Sequence, residues 1–234
     1  DDAFDGTDLQ TVIVEENCYA FRWAVEHGYI GWEWRKRPDD TIEILAYTSN
    51  LTTVVVPSSI AGLPVRSIGS EAFYGNGFMR SVTVPDGVTD IGNKAFYDCP
   101  KLREVSLPDS VRSIGTQVFC YCPSLVRVNI PPYLTELPRA MFMACENLNV
   151  IVIPDGVTTI GKSVFYGCSN LSSVTVPDPV TTIGQTAFHN CESLEYLYLS
   201  ENVTSIYDDT SFSGCSRLVI DAPEGSVAWE YAQT

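Results

Sequence analysis

Apolar and polar residues alternate along this chain in short bursts, and the bursts recur at a fixed step. In residues 102–122, Leu102, Val105 and Leu107 share one side of a segment whose other side carries Glu104 and Ser106. Such alternation predicts a strand with one buried face. Pro108 lacks a backbone donor and ends the strand, and Asp109-Ser110 suits the turn that follows. Val111-Arg112-Ser113-Ile114 alternates again, predicting a second short extended segment, after which Gly115 permits a turn. Val118 and Phe119 then point inward, and the chain curls back through Cys122 to the next leucine.

The same positions recur as columns. Ile-Gly pairs stand at Ile68-Gly69, Ile91-Gly92, Ile114-Gly115, Ile160-Gly161 and Ile183-Gly184, at steps of 23, 23, 46 and 23 residues. Leu137-Pro138 fills the long gap, and Ile206-Tyr207 continues the series. Phenylalanine recurs at Phe73, Phe96, Phe119, Phe142, Phe165 and Phe188, then at Phe212 after one inserted residue. Cysteine does so at Cys99, Cys122, Cys145, Cys168, Cys191 and Cys215, and leucine at Leu102, Leu125, Leu148, Leu171, Leu194 and Leu218. One such unit, with about eight inward positions, cannot bury them alone, but stacked units cover one another. Their strands would lie roughly 4.8 Å apart as a parallel sheet. The phenylalanines are predicted to stack as an internal spine, and the cysteines to form a file of small buried groups that stay reduced.

The unit L-x-x-V-x-V-P-x-x-V-x-x-I-G-x-x-A-F-x-x-C, clearest at Leu171 to Cys191 and Met79 to Cys99, resembles the BspA-like class of leucine-rich repeats over about residues 51–223. The fold implied is α/β, mainly β: a leucine-rich repeat solenoid with a parallel sheet on one side and 23-residue repeats. A longer first linker, with Pro57 to Pro85 spanning 28 residues against 23, fits the resemblance. The resemblance further implies a secreted or surface-displayed bacterial protein, non-catalytic and used in adhesion or protein binding.

The two ends echo each other. Glu224 to Ala232 reads as a helix start with a small capping residue, and Glu16 to Ala24 aligns with it position for position. Each follows a strand-like run, Val12-Ile13-Val14 or Leu218-Val219-Ile220. A terminal repeat needs such a cap to cover its core edge. Ala3 to Leu9 resembles the back half of a repeat. The expected organisation is therefore the end of a preceding repeat plus a helical cap in residues 1–34, an array in 41–223 and a C-terminal capping helix in 224–234. A further repeat block before Asp1 is one reading; an N-terminal cap built from a related helix is the other.

Composition narrows the chemistry. With 45% hydrophobic and 18% charged residues the chain can bury a large core. Its formal net charge of -15 repels phosphate backbones and argues against nucleic acid. The one dense basic run, Arg35-Lys36-Arg37, reads as a solvated turn. No stretch approaches the roughly 18 apolar residues that span a bilayer, and the opening Asp1-Asp2-Ala3-Phe4 carries no signal pattern. Of the eight cysteines, Cys120 stands outside the repeated column and is expected at the surface, and Cys18 aligns with Ser226 as a surface or capping residue. Cys120-Tyr121-Cys122 supplies no second pair for zinc. His27 and His189 have no partner spacing for a triad or metal cluster, and no phosphate loop is present. No cofactor, metal or catalytic group is expected.

Binding in a solenoid falls to the outward positions of its sheet. One such column runs Ser81, Glu104, Arg127, Val150, Ser173 and Tyr196, the other Thr83, Ser106, Asn129, Val152, Thr175 and Tyr198. Most are small or polar. Val150, Val152, Tyr196 and Tyr198 stand out, bordered by Arg127 and Asn129, and paired exposed tyrosines are typical binding anchors. Strand propensity alone also accounts for valine and tyrosine there. These six are the candidate ligand-binding residues. The expected partner is a host or bacterial surface protein; a glycan stacked on Tyr196 and Tyr198 is the alternative, and a passive spacer in a larger surface protein is the third. Tyr133 and Leu137-Pro138 break the consensus beside the patch and predict a local irregularity.

Overall fold

The computed structural model describes residues 31–233, which wind into a stack of rungs, one per repeat unit. The front strands Thr53–Val55, Ser81–Thr83, Glu104–Ser106 and Arg127–Val128 pair in parallel, in steps such as Ser81 with Glu104. Val150–Val152 pairs with Ser173–Thr175, and Tyr196–Tyr198 with Val219–Asp221. The second extended segment of each unit builds another parallel ladder: Leu63–Ile68, Asp90–Ile91 and Ser113–Ile114, then separately Glu136–Leu137, Thr159–Ile160, Thr182–Ile183 and Ser205–Ile206. An antiparallel hairpin of Trp32–Lys36 and Ile42–Tyr47 joins the first of these ladders through Ile42–Tyr47. The extra residues of the first linker form a small hairpin, Ser59–Ile60 against Leu63–Pro64. Its turn uses Ala61 and Gly62 at φ 49° and 75°, the left-handed pair a two-residue hairpin demands.

A third ladder was not visible in the hydrophobic pattern. Between the second strand and the cysteine, alternate amides donate to the next rung: Lys94, Phe96 and Asp98 to the carbonyls of Thr116, Val118 and Cys120, each at 2.9 Å. The two outer residues of each such trio, four apart, sit in left-handed backbone: Lys94 and Asp98 at φ 56° and 55°, Gln117 and Tyr121 at 59°. For non-glycine residues that costs roughly 1–2 kcal/mol each, and the inter-rung bonds hold them there.

The core matches the predicted spine. Phe73, Phe96, Phe119, Phe142, Phe165, Phe188 and Phe212 stack in sequence with ring centroids 4.7 to 5.7 Å apart. Trp32 and Tyr47 close one end against Phe73, and Tyr231 closes the other edge-on to Phe212. Among the described residues the cysteines are free thiols, and those of the repeated column do more than fill space. Each donates to the phenylalanine carbonyl of the preceding rung: Cys99 to Phe73, Cys122 to Phe96, Cys145 to Phe119, Cys168 to Phe142 and Cys191 to Phe165, at 3.0 to 3.2 Å.

Two sequence expectations need correction, and a third is given its cause. Cys120 is fully buried. Its column in the adjacent rungs holds Tyr97 and Met143, and a thiol shorter than its neighbours lies shielded between them; burial pushes it up to about 11. The Gly115 column does not supply left-handed backbone. Glycine is there because rungs approach closely: a Cβ on Gly161 would sit 2.6 Å from the Leu137 carbonyl oxygen, and one on Gly184 would sit 2.7 Å from the Gly161 carbonyl carbon. Finally, the irregularity at Leu137-Pro138 is a missing donor. Gly92, Gly115, Gly161 and Gly184 donate to Ile68, Ile91, Leu137 and Ile160 at 2.8 to 2.9 Å. Pro138 has no N–H to give Ile114, and there the second ladder divides.

At the C-terminus Ser226 caps the helix Val227–Ala232, its Oγ accepting from the Trp229 amide at 3.1 Å. Ala228 is buried. The expected preceding repeat and N-terminal helical cap span residues 1–34; residues 1–30, with Cys18 and His27, lie outside the described residues, and the last of the segment falls in the strand Trp32–Lys36.

Candidate interaction face

In each front strand the middle residue enters the core and its two neighbours face out. Val105, Ile151, Val174 and Leu197 are buried, and Glu104, Ser106, Val150, Val152, Ser173, Thr175, Tyr196 and Tyr198 are exposed. The two predicted columns are therefore real columns on one surface. Val150 and Val152 lie on one rung and Tyr196 and Tyr198 two rungs on, with Ser173 and Thr175 between, a separation of roughly 10 Å at the strand spacing. Exposure runs from 43% at Tyr198 to 63% at Val152, so the four present apolar area that the fold itself leaves uncovered.

The sequence reading omitted Val219. It registers with Tyr196 and is 62% exposed, extending the patch by one rung. The residue inserted before Phe212 displaces Cys215 and Leu218 from the 23-residue step, yet the strand returns to it. Counting 23 from Tyr196 would have found Val219. Val55, in register with Thr83 and 66% exposed, continues the front face at the far end.

The polar candidates are engaged by the protein itself. Arg127 pairs with Glu104 at 3.5 Å, both exposed, an ion pair of small energetic weight. Asn129 brackets Leu107: its Oδ1 accepts from the Leu107 amide at 2.8 Å and its Nδ2 donates to the Leu107 carbonyl at 2.6 Å. Its side chain thus does what strand backbone does elsewhere, and the front ladder divides just beyond Arg127–Val128. Both border an open groove of about 730 Å³ along the front face, which reaches Val150. Tyr196 donates to Asp221 Oδ2 at 2.6 Å, and that bond raises its pKa above the usual phenol value.

Beside the strands lies a second open groove, of about 690 Å³, lined by Arg103, Ser124, Asn147, Asn149, Asn170 and Ser172 among others. Its amides and hydroxyls link across rungs, Asn170 Nδ2 to Asn147 Oδ1 at 3.1 Å and Ser172 Oγ to Asn149 Oδ1 at 2.5 Å. His189 stacks flat on Tyr166, centroids 4.8 Å apart. Among the described residues, no cluster of His, Cys, Asp and Glu is placed to hold a metal ion, and no helix is long and apolar enough to cross a membrane.

Parallel strands stacked at 23-residue intervals around leucine, phenylalanine and cysteine columns define a leucine-rich repeat solenoid. The BspA type leucine rich repeat region matches in six copies over residues 43–149 and 135–223, and the chain belongs to that family. Among solved structures, a Treponema pallidum leucine rich repeat protein is 32% identical, with a TM-score of 0.72, over 81% of this chain and 88% of its own. A leucine-rich repeat protein from Eubacterium ventriosum is 23% identical, with a TM-score of 0.65, over 84% of this chain and 52% of its own. No curated protein matches the sequence.

Proposed function

We propose that this chain is a non-catalytic binding module that holds a host or bacterial surface protein against its front sheet, and that it acts in adhesion outside the cell or on its surface. Repeat scaffolds of this family generally serve protein interaction, which supports the class. Family resemblance is what supports the location. The observation that carries the site is the exposed run of Val150, Val152, Tyr196, Tyr198 and Val219 along the front face, on two adjoining strand pairs. Large amphipathic rings at low entropic cost, set among valines, are the composition of an interface centre.

The test is affinity capture from host and bacterial surface extracts, followed by binding measurements on each captured protein. Tyr196→Ala with Tyr198→Ala is expected to weaken binding at least about tenfold, while Ser81→Ala with Thr83→Ala leaves it intact. Full binding by the tyrosine double variant sinks the front-sheet reading. A glycan is the second reading, favoured by the amide- and hydroxyl-lined groove that begins beside the same strands. A glycan array separates the two.

A further inference from the structure

Resting on that front-sheet reading, we infer that the segment this face binds is cationic: a stretch of protein carrying Lys or Arg beside apolar side chains. Charge is distributed very unevenly along the array. Residues 31–128 contain ten Lys or Arg and ten Asp or Glu, whereas residues 129–234 contain three against twelve. The apolar patch lies in that second half. Of the three cations there, Arg217 is taken by Glu195 at 2.7 Å.

The carboxylates are placed where they meet a ligand on the patch. Each front strand ends at a turn, and the turns put Asp155, Asp178 and Glu201 in one column, each three residues beyond an outward position: Val152, Thr175 and Tyr198. All three are exposed, and none forms an ion pair among the described residues. Rungs roughly 4.8 Å apart stack these like charges closely, which concentrates negative potential along one border of the patch. On the last rung Asp221, in register with Tyr198, adds a carboxylate to the face itself, where it accepts the Tyr196 phenol. An apolar centre with an acidic border fits a partner with an apolar centre and a basic border. It steers that partner in and disfavours anionic surfaces.

Probes of defined chemistry test this with the full chain: a short peptide alternating Lys and Leu, its Glu-Leu counterpart, and a Lys-Ser peptide of equal charge. The Lys-Leu peptide is expected to bind, the Glu-Leu peptide not to, and the Lys-Ser peptide to bind at least about tenfold more weakly. Asp155→Asn, Asp178→Asn and Glu201→Gln together are expected to slow Lys-Leu association about tenfold and flatten its salt dependence. Tyr196→Ala with Tyr198→Ala is expected to speed dissociation. All are surface substitutions, and circular dichroism verifies the fold. If the tyrosine variant loses binding while the carboxylate variant keeps it, or Glu-Leu binds as well as Lys-Leu, the cationic inference is wrong and the front-sheet site stands. If the tyrosine variant binds Lys-Leu unchanged, the front-sheet site fails and the inference with it. Dimerisation through this face, or displacement of the peptide by a neutral oligosaccharide, also overturns it.

Discussion

Tyr196 donates its phenolic hydrogen to Asp221 across 2.6 Å, tying an outward position of one front strand to the opposite outward column on the next. The ring is thereby pinned on the face while over half its surface stays open. Because the carboxylate favours the protonated phenol, Tyr196 ionises above the usual phenol value. The sign follows: the bond is intact below that value and is lost as pH rises through the raised one. Ultraviolet titration of Asp221→Asn should show one phenol ionising at lower pH than in the parent, and Tyr196→Phe should remove that phenol from the curve.

The cysteine column is structural through its donor as well as its volume. Cys145→Ala leaves the buried Phe119 carbonyl without its 3.0 Å partner. The expected loss in urea unfolding is about 1–3 kcal/mol, and Cys145→Ser should recover part of it by restoring a donor. Equal costs for the two variants would mean that the thiol only fills space.

Burial pushes Cys168 up to about 12 and Cys145 well above the usual thiol range. In a Cys18→Ser background, Ellman's reagent should label Cys215, the half-buried end of the column, ahead of the other ladder thiols. Those should react only as the protein opens. Since the folded thiols ionise above the unfolded ones, their contribution is whole below the ordinary thiol value and declines as pH rises from there toward 12. Urea midpoints should therefore fall across that window.

Gly161→Ala should destabilise the array by about 1–3 kcal/mol, because the added methyl meets the Leu137 carbonyl, which is backbone and cannot step aside. Thermal unfolding of this variant beside Gly75→Ala separates the two roles of glycine. Gly75 has open space around it, and only its left-handed backbone, at φ 67°, resists alanine.

Pro138→Gly returns an amide to the one rung that lacks it. Hydrogen exchange should find the new amide protected like that of Gly161, bonded to the Ile114 carbonyl and joining the divided ladder. The net stability change should stay under about 1 kcal/mol, since a hydrogen bond of about 0.5–1.5 kcal/mol opposes the chain entropy of an added glycine.

Much of this architecture was legible in the residues alone. A column that repeats every 23 positions can bury itself only against its own copies, so Phe73 to Phe212, the leucines and the cysteines had to share one interior, and Val150, Val152, Tyr196 and Tyr198 had to lie outside it. Tertiary structure decided what depends on the neighbouring rung. The close approach that excludes a Cβ at Gly161, the left-handed residues held by inter-rung bonds at Lys94 and Asp98, and the thiol bonds to phenylalanine carbonyls arise between residues far apart in sequence. So do the burial of Cys120, the use of Asn129 as strand backbone and the return of Val219 to register after an insertion. Periodicity says which way a side chain points; only the packed neighbour says what it touches.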